Sequence, residues 1–130
     1  MAVQRIIVVD DDTNFLSAIK RNLERYGIQI DTYSDSIQAL NEIASSGNVD
    51  LLILDLTMPE FDGVELMLAL AQRNCPTPIL LISGWWPETL ELSAILGSAH
   101  GLRILGTLQK PFNLDQIVSA LKGGLPMRIF

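Results

Sequence analysis

Short apolar runs alternate along the chain with longer segments in which apolar residues recur every three or four positions. Residues 6–9 (IIVV), 51–54 (LLIL) and 79–82 (ILLI) are apolar on both faces, as strands buried in a parallel sheet are. Residues 104–108 form another such run, and residues 28–33 alternate, as a half-buried edge strand does. Between the runs lie helical faces: Phe15, Leu16, Ile19, Leu23 and Tyr26; then Ile37, Leu40 and Ile43; then Val64, Met67 and Leu68. Leu90, Ile95 and Leu96 mark a fourth face, and Ile117, Val118 and Leu121 a fifth. Asp12 or Thr13 is placed to cap the first helix, and Asp35 with Gln38 reads as a capping box. Pro87 suits a first helical position, and Asn113 with Gln116 opens the last helix. Gly27, Gly47 and the pair Gly123-Gly124 stop helices.

Five strands alternating with five helices predict an α/β fold: a mostly parallel sheet covered on both faces by right-handed crossovers. Ligands of such sheets bind at the carboxyl ends of the strands. At those ends stand Asp10 and Asp11, then Asp55, then Ser83, and shortly after the last run Lys110. Carboxylates gathered in one crevice repel each other unless protonated, solvated or neutralised by a cation. Mg²⁺ suits such a set, because it takes oxygen ligands and keeps several waters; the backbone carbonyl of Thr57 is placed to join them. Lys110 adds a cation whose natural partner is a carboxylate or a phosphoryl oxygen, and Ser83 adds a hydroxyl donor. Together these groups suit phosphoryl transfer to Asp55.

The composition narrows the field. With 130 residues, 48% hydrophobic and 18% charged, the chain is expected to form one domain over residues 1–130. A net charge of -6 argues against binding nucleic acid or anionic lipid directly. A single cysteine, Cys75, excludes an intramolecular disulfide and a thiolate-rich zinc site. No apolar run approaches a membrane span, and the start does not read as a signal peptide, so a soluble, cytoplasmic protein is expected.

Four segments carry a family resemblance: IIVVDDD at residues 6–12, LLILDLTMPEFDG at 51–63, PILLISG at 78–84 and LQKPF at 108–112. Each is weak alone; in this order at successive strand ends they are specific. The chain resembles a CheY-like response-regulator receiver domain, the phosphoacceptor of two-component signalling. That resemblance implies a flavodoxin-like, doubly wound five-stranded parallel sheet in the order 2-1-3-4-5. It implies Asp55 as the phosphoacceptor, and Mg²⁺ held by Asp11, by Asp10 mainly through water, by Asp55 and by the Thr57 carbonyl. Ser83 would hydrogen-bond the phosphoryl group; Lys110 would pair with phosphate or, before it arrives, with Asp55. Pro111 is often cis in this family. The implied partners are a sensor histidine kinase or phosphotransfer protein and a downstream effector or output domain, with a homodimer through the fourth and fifth helices as a further expectation.

Two departures stand out. Receivers often carry an aromatic residue three positions before the lysine, whereas this chain has Thr107. Trp85, two residues after Ser83, with Trp86 beside it, is a bulky side chain where access to the phosphoryl group is influenced. Residues 99–107 also resemble receivers fused to cyclic-di-GMP phosphodiesterase domains, but the chain stops at Phe130, so no output domain is expected within it. Three alternatives remain at this stage. A dehalogenase-like phosphatase would need an acid where Thr57 stands, and a flavodoxin-like cofactor binder would need a Ser/Thr/Gly-rich loop where Asp10, Asp11 and Asp12 stand. A receiver-like scaffold that takes no phosphate is the third.

Overall fold

A computed structural model describes residues 3–57, 63–84 and 87–122. The chain alternates strand and helix throughout: β1 (Arg5–Val9), α1 (Thr13–Glu24), β2 (Gln29–Tyr33), α2 (Ser36–Ser45), β3 (Leu51–Asp55), α3 (Gly63–Gln72), β4 (Ile79–Ser83), α4 (Pro87–Ala99), β5 (Ile104–Gln109) and α5 (Leu114–Lys122). The strands form one parallel sheet in the order β2-β1-β3-β4-β5. This is the flavodoxin-like arrangement that the sequence resemblance implies.

Alternation along each strand divides the core into two layers. Ile6, Val8, Leu51 and Ile53 point to a layer closed by Leu16, Ile19 and Leu23 of α1 and by Ile117, Val118 and Leu121 of α5. Ile7, Val9, Leu52 and Leu54 point to the other layer, closed by α2, α3 and α4. The central strands are therefore apolar on both faces, and β3 and β4 are buried along their whole length. β2 lies at an edge and is half-buried, as its alternation predicts. There the Arg5 guanidinium reaches Asp31 at 2.9 Å and Glu42 at 3.5 Å, and these contacts raise its pKa, the hydrogen bond to Asp31 most.

The helix starts follow the expected chemistry. Asp12 caps α1, its side chain accepting from the Phe15 N–H, and Asp35 caps α2 by accepting from Ile37 and Gln38. The Asn113 side chain accepts from the Asp115 N–H at the start of α5. Gly27 has φ +78°, the left-handed conformation that ends a helix at little cost to glycine.

Three predicted helix faces need correction. In α2 the buried residues are Ser36, Ala39 and Ile43, while Ile37 is exposed. In α3 the inward face is Gly63, Leu66, Met67 and Leu70, one step round from Val64, Met67 and Leu68. In α4 Leu90 is buried as expected, but Ile95 and Leu96 face outward with Leu92. The reason is small residues: Ser93 and Gly97 are buried on α4 and let it lie close to its neighbours. A β-carbon on Gly97 would stand 2.9 Å from the Met67 sulfur and 3.2 Å from Ile104 Cδ1. Trp85, Trp86, Gly123 and Gly124 lie outside the described residues.

Candidate functional site: an acidic pocket with a lysine

The sheet registers bring the predicted groups to one edge. Val9 pairs with Leu54, so the next residues, Asp10 and Asp55, stand side by side where β1 and β3 end. Asp55 pairs with Ile82, one residue before Ser83, and Ser83 pairs with Gln109, one residue before Lys110. The Lys110 N–H donates to the Ser83 carbonyl at 2.8 Å, which fixes the lysine loop to the end of β4. The Lys110–Pro111 peptide is cis.

Asp10, Asp55 and Ser83 are buried, and Asp11 is exposed. Carboxylate oxygens of Asp10, Asp11 and Asp55 lie within 4.8 Å of one another. The Lys110 ammonium contacts both buried acids: Asp10 Oδ2 at 2.5 Å and Asp55 Oδ2 at 3.5 Å. Asp55 was expected to be its resting partner, but the closer contact is to Asp10. The reason lies in the other Asp55 oxygen. Asp55 Oδ1 accepts from the Thr57 N–H at 3.0 Å and from the Thr57 hydroxyl at 2.7 Å, so its carboxylate is already partly satisfied. Asp10 Oδ1 accepts a single backbone bond, from the Asp12 N–H at 2.9 Å.

The electrostatics follow from this crowding. Burial pushes the Asp10 carboxyl up, and the charge of Asp55 adds to the rise. The hydrogen bonds from Lys110 and from the Asp12 N–H pull it down, and the balance leaves it raised to about 6. Burial pulls the Lys110 ammonium down, but its bond to Asp10 and the charges of Asp55 and Asp10 outweigh that, and its pKa ends above the ordinary lysine value.

Three carboxylates against one ammonium leave a local excess of negative charge. An all-oxygen donor set of this kind fits a hard divalent cation such as Mg²⁺ and suits a thiophilic metal poorly. Bound there, the ion would neutralise the pocket and let an anionic phosphoryl group approach. Thr57 is present at the pocket through its N–H and hydroxyl, both turned to Asp55. Sequence reasoning missed that hydroxyl contact. It also missed Phe15, whose ring lies 5.0 Å from the Lys110 Nζ. A half-buried aromatic near the start of the first helix was the available signal. Two further acids of the segment 51–63, Glu60 and Asp62, lie outside the described residues.

Comparison with known proteins agrees with the geometry. The family model "Response regulator receiver domain" matches residues 6–122. The alkaline phosphatase synthesis transcriptional regulatory protein PhoP of Bacillus subtilis is 32% identical over 119 residues, 92% of this chain and 47% of that protein. The chain thus spans about half the length of that curated relative. A response regulator from Colwellia psychrerythraea superposes with a TM-score of 0.82 at 30% identity, covering 94% of this chain and 96% of the other. The response regulator TrrA from Thermotoga maritima, solved in complex with Mg(2+)-BeF, superposes with a TM-score of 0.73 at 30% identity, covering 93% and 98%.

Proposed function

This chain belongs to the response regulator receiver domain family, and on that premise we propose that Asp55 accepts a phosphoryl group in the presence of Mg²⁺. The family is one of phosphorylation-dependent signalling switches rather than turnover enzymes on external substrates. The observation that carries the assignment is the meeting of Asp10, Asp11 and Asp55 oxygens within 4.8 Å, with the Lys110 ammonium bridging Asp10 and Asp55.

Each residue has a role. Asp11, exposed, would hold the ion directly together with Asp55 and the Thr57 backbone carbonyl. Asp10 would act through water, because both its oxygens are engaged, one by Lys110 and one by the Asp12 N–H. The donor is a phosphohistidine on a sensor kinase or a phosphotransfer protein. An Asp55 carboxylate oxygen attacks phosphorus, the P–N bond breaks as the P–O bond forms, and the departing imidazole takes up a proton. The Lys110 ammonium needs a shift of one contact to reach the new phosphoryl oxygens. The Ser83 hydroxyl donates to another. The rigid strand ends hold these groups in place before the donor arrives.

The consequence is a population shift at the surface formed by α4, β5 and α5. Leu92 and Ile95 are 66% and 64% exposed there, an apolar face that supports docking of a downstream effector or output domain, or of a second copy. Beside them a cavity of about 650 Å³ is lined by Ala94, Ile95, Ser98, Ile104 and Thr107. The common receiver aromatic is replaced by Thr107 at this cavity, so transmission here runs by a route other than inward rotation of a ring. The excess of acids supports a domain that does not touch DNA itself. Among the described residues no helix is long and apolar enough to cross a membrane, and we place the protein in the cytoplasm with its kinase partners.

The test is incubation with Mg²⁺ and acetyl phosphate or phosphoramidate, followed by intact mass measurement. Wild type gains one phosphoryl group, and Asp55→Asn gains none. An adduct that persists in Asp55→Asn defeats the assignment.

A further inference from the structure

Phe15 is not among the groups that bind metal or phosphate, yet it closes a loop of contacts around the site. Its N–H donates to the Asp12 side chain at 3.1 Å, and the Asp12 N–H donates to Asp10 Oδ1 at 2.9 Å. Asp10 Oδ2 in turn holds the Lys110 ammonium, and that ammonium sits 5.0 Å from the centre of the Phe15 ring. The ring also packs on a second aromatic: Phe112 and Phe15 meet edge-to-face, with centroids 5.9 Å apart and planes at 74°. Phe15, Phe112 and Leu114 pack together on the same core layer.

An ammonium has three donors. Two directions from Lys110 Nζ lead to Asp10 and Asp55. The Phe15 ring offers its negative π-system to the same ammonium, within the range where a cation is attracted to an aromatic face. We propose that Phe15 is a positioning residue for Lys110: the ring holds the ammonium between the two buried acids, so that it is already in place when phosphate reaches Asp55. This rests on the phosphoacceptor reading above. It assigns Phe15 no contact with phosphate, donor or metal.

The test combines a spectroscopic and a kinetic readout. In the metal-free protein the ring current of Phe15 shifts the Lys110 Cε protons upfield. Phe15→Tyr and Phe15→Trp keep that shift, and Phe15→Leu and Phe15→Met lose it. With Mg²⁺ and acetyl phosphate, Phe15→Leu takes up phosphate about two- to five-fold more slowly, the worth of a partly exposed cation–π contact. Phe15→Tyr recovers most of the wild-type rate. In a Lys110→Met background, Phe15→Leu causes no further slowing, because the ring has no ammonium to hold. Phe15→Met serves the same purpose should Phe15→Leu fold poorly. The proposal is overturned if both aliphatic variants keep the wild-type rate, if Phe15→Tyr is no faster than they are, or if Phe15→Leu slows the Lys110→Met protein equally. A wild type that takes no phosphate at Asp55 overturns the functional reading instead, while the proton shift still reports whether the ring holds the lysine.

Discussion

Asp10 is fully buried, yet it holds a cation on one oxygen and a backbone N–H on the other. Burial dominates and raises its pKa to about 6. A carboxyl raised on folding binds its proton more tightly in the native state than in the unfolded one. Its ionisation therefore costs the metal-free protein nothing below the unfolded value of 3.8, and the full cost is present above about 6. Stability from this residue falls as pH rises through that window, opposite to an acid whose pKa is depressed by a salt bridge. Divalent binding has the reverse trend, because the ion needs the carboxylates ionised. Mg²⁺ affinity, followed by calorimetry, is expected to be level above pH 7 and to weaken as pH falls below about 6. Affinity unchanged between pH 5 and 7.5 would show that Asp10 does not titrate in this range. Lys110, with its pKa raised, stays charged throughout and contributes nothing to the trend.

At the scale of elements, the site depends on how closely α3 and α4 approach the sheet. A β-carbon on Gly63 would fall on the Asp55 carbonyl oxygen and the Leu56 α-carbon, and backbone cannot yield as a side chain can. On Gly97 the nearest atom would be the Met67 sulfur, the far end of an unbranched, adaptable side chain. Gly63→Ala is therefore expected to cost about 1–3 kcal/mol or more by overpacking, despite the gain of roughly 1 kcal/mol in helix propensity. Gly97→Ala should cost clearly less. Urea unfolding of the two variants checks the order, and a larger loss for Gly97→Ala would contradict it. The same close packing explains what could be read in the sequence. Strand positions were legible because doubly buried runs such as residues 51–54 admit little else, and with them the convergence of Asp10, Asp55, Ser83 and Lys110 on one edge. Helix faces were less legible wherever Ser36, Ala39, Gly63, Ser93 or Gly97 make the contacts, since apolar periodicity weights large side chains. Which acid Lys110 prefers was not legible either, because it turns on the Thr57 hydroxyl already bonded to Asp55.

Across the whole molecule, the sheet separates two tasks. Its carboxyl edge gathers the charges, and the flank formed by α4 and the edge strand β5 presents apolar surface. The two are joined by short connections: Ser83 ends β4 four residues before Pro87 opens α4, and the Lys110 N–H is bonded to the Ser83 carbonyl. On the proposed reading, a dianion drawn between Ser83 and Lys110 would act on both elements of that flank at once. Leu92 and Ile95 face outward and fill no part of either core layer, so replacing both by glutamate should alter folding stability by only about 0.5 kcal/mol per site. Their effect should appear in association. Beryllofluoride with Mg²⁺ mimics the phosphoryl group on aspartate, and with it the wild-type protein is expected to shift toward a dimer in sedimentation. The Leu92→Glu, Ile95→Glu protein should bind the mimic equally well, because the substituted residues lie outside the acidic pocket, and yet stay monomeric. Association that survives both glutamates would move the contact to another face. A wild type that stays monomeric with the mimic bound would leave this flank to an effector or output domain rather than a second copy.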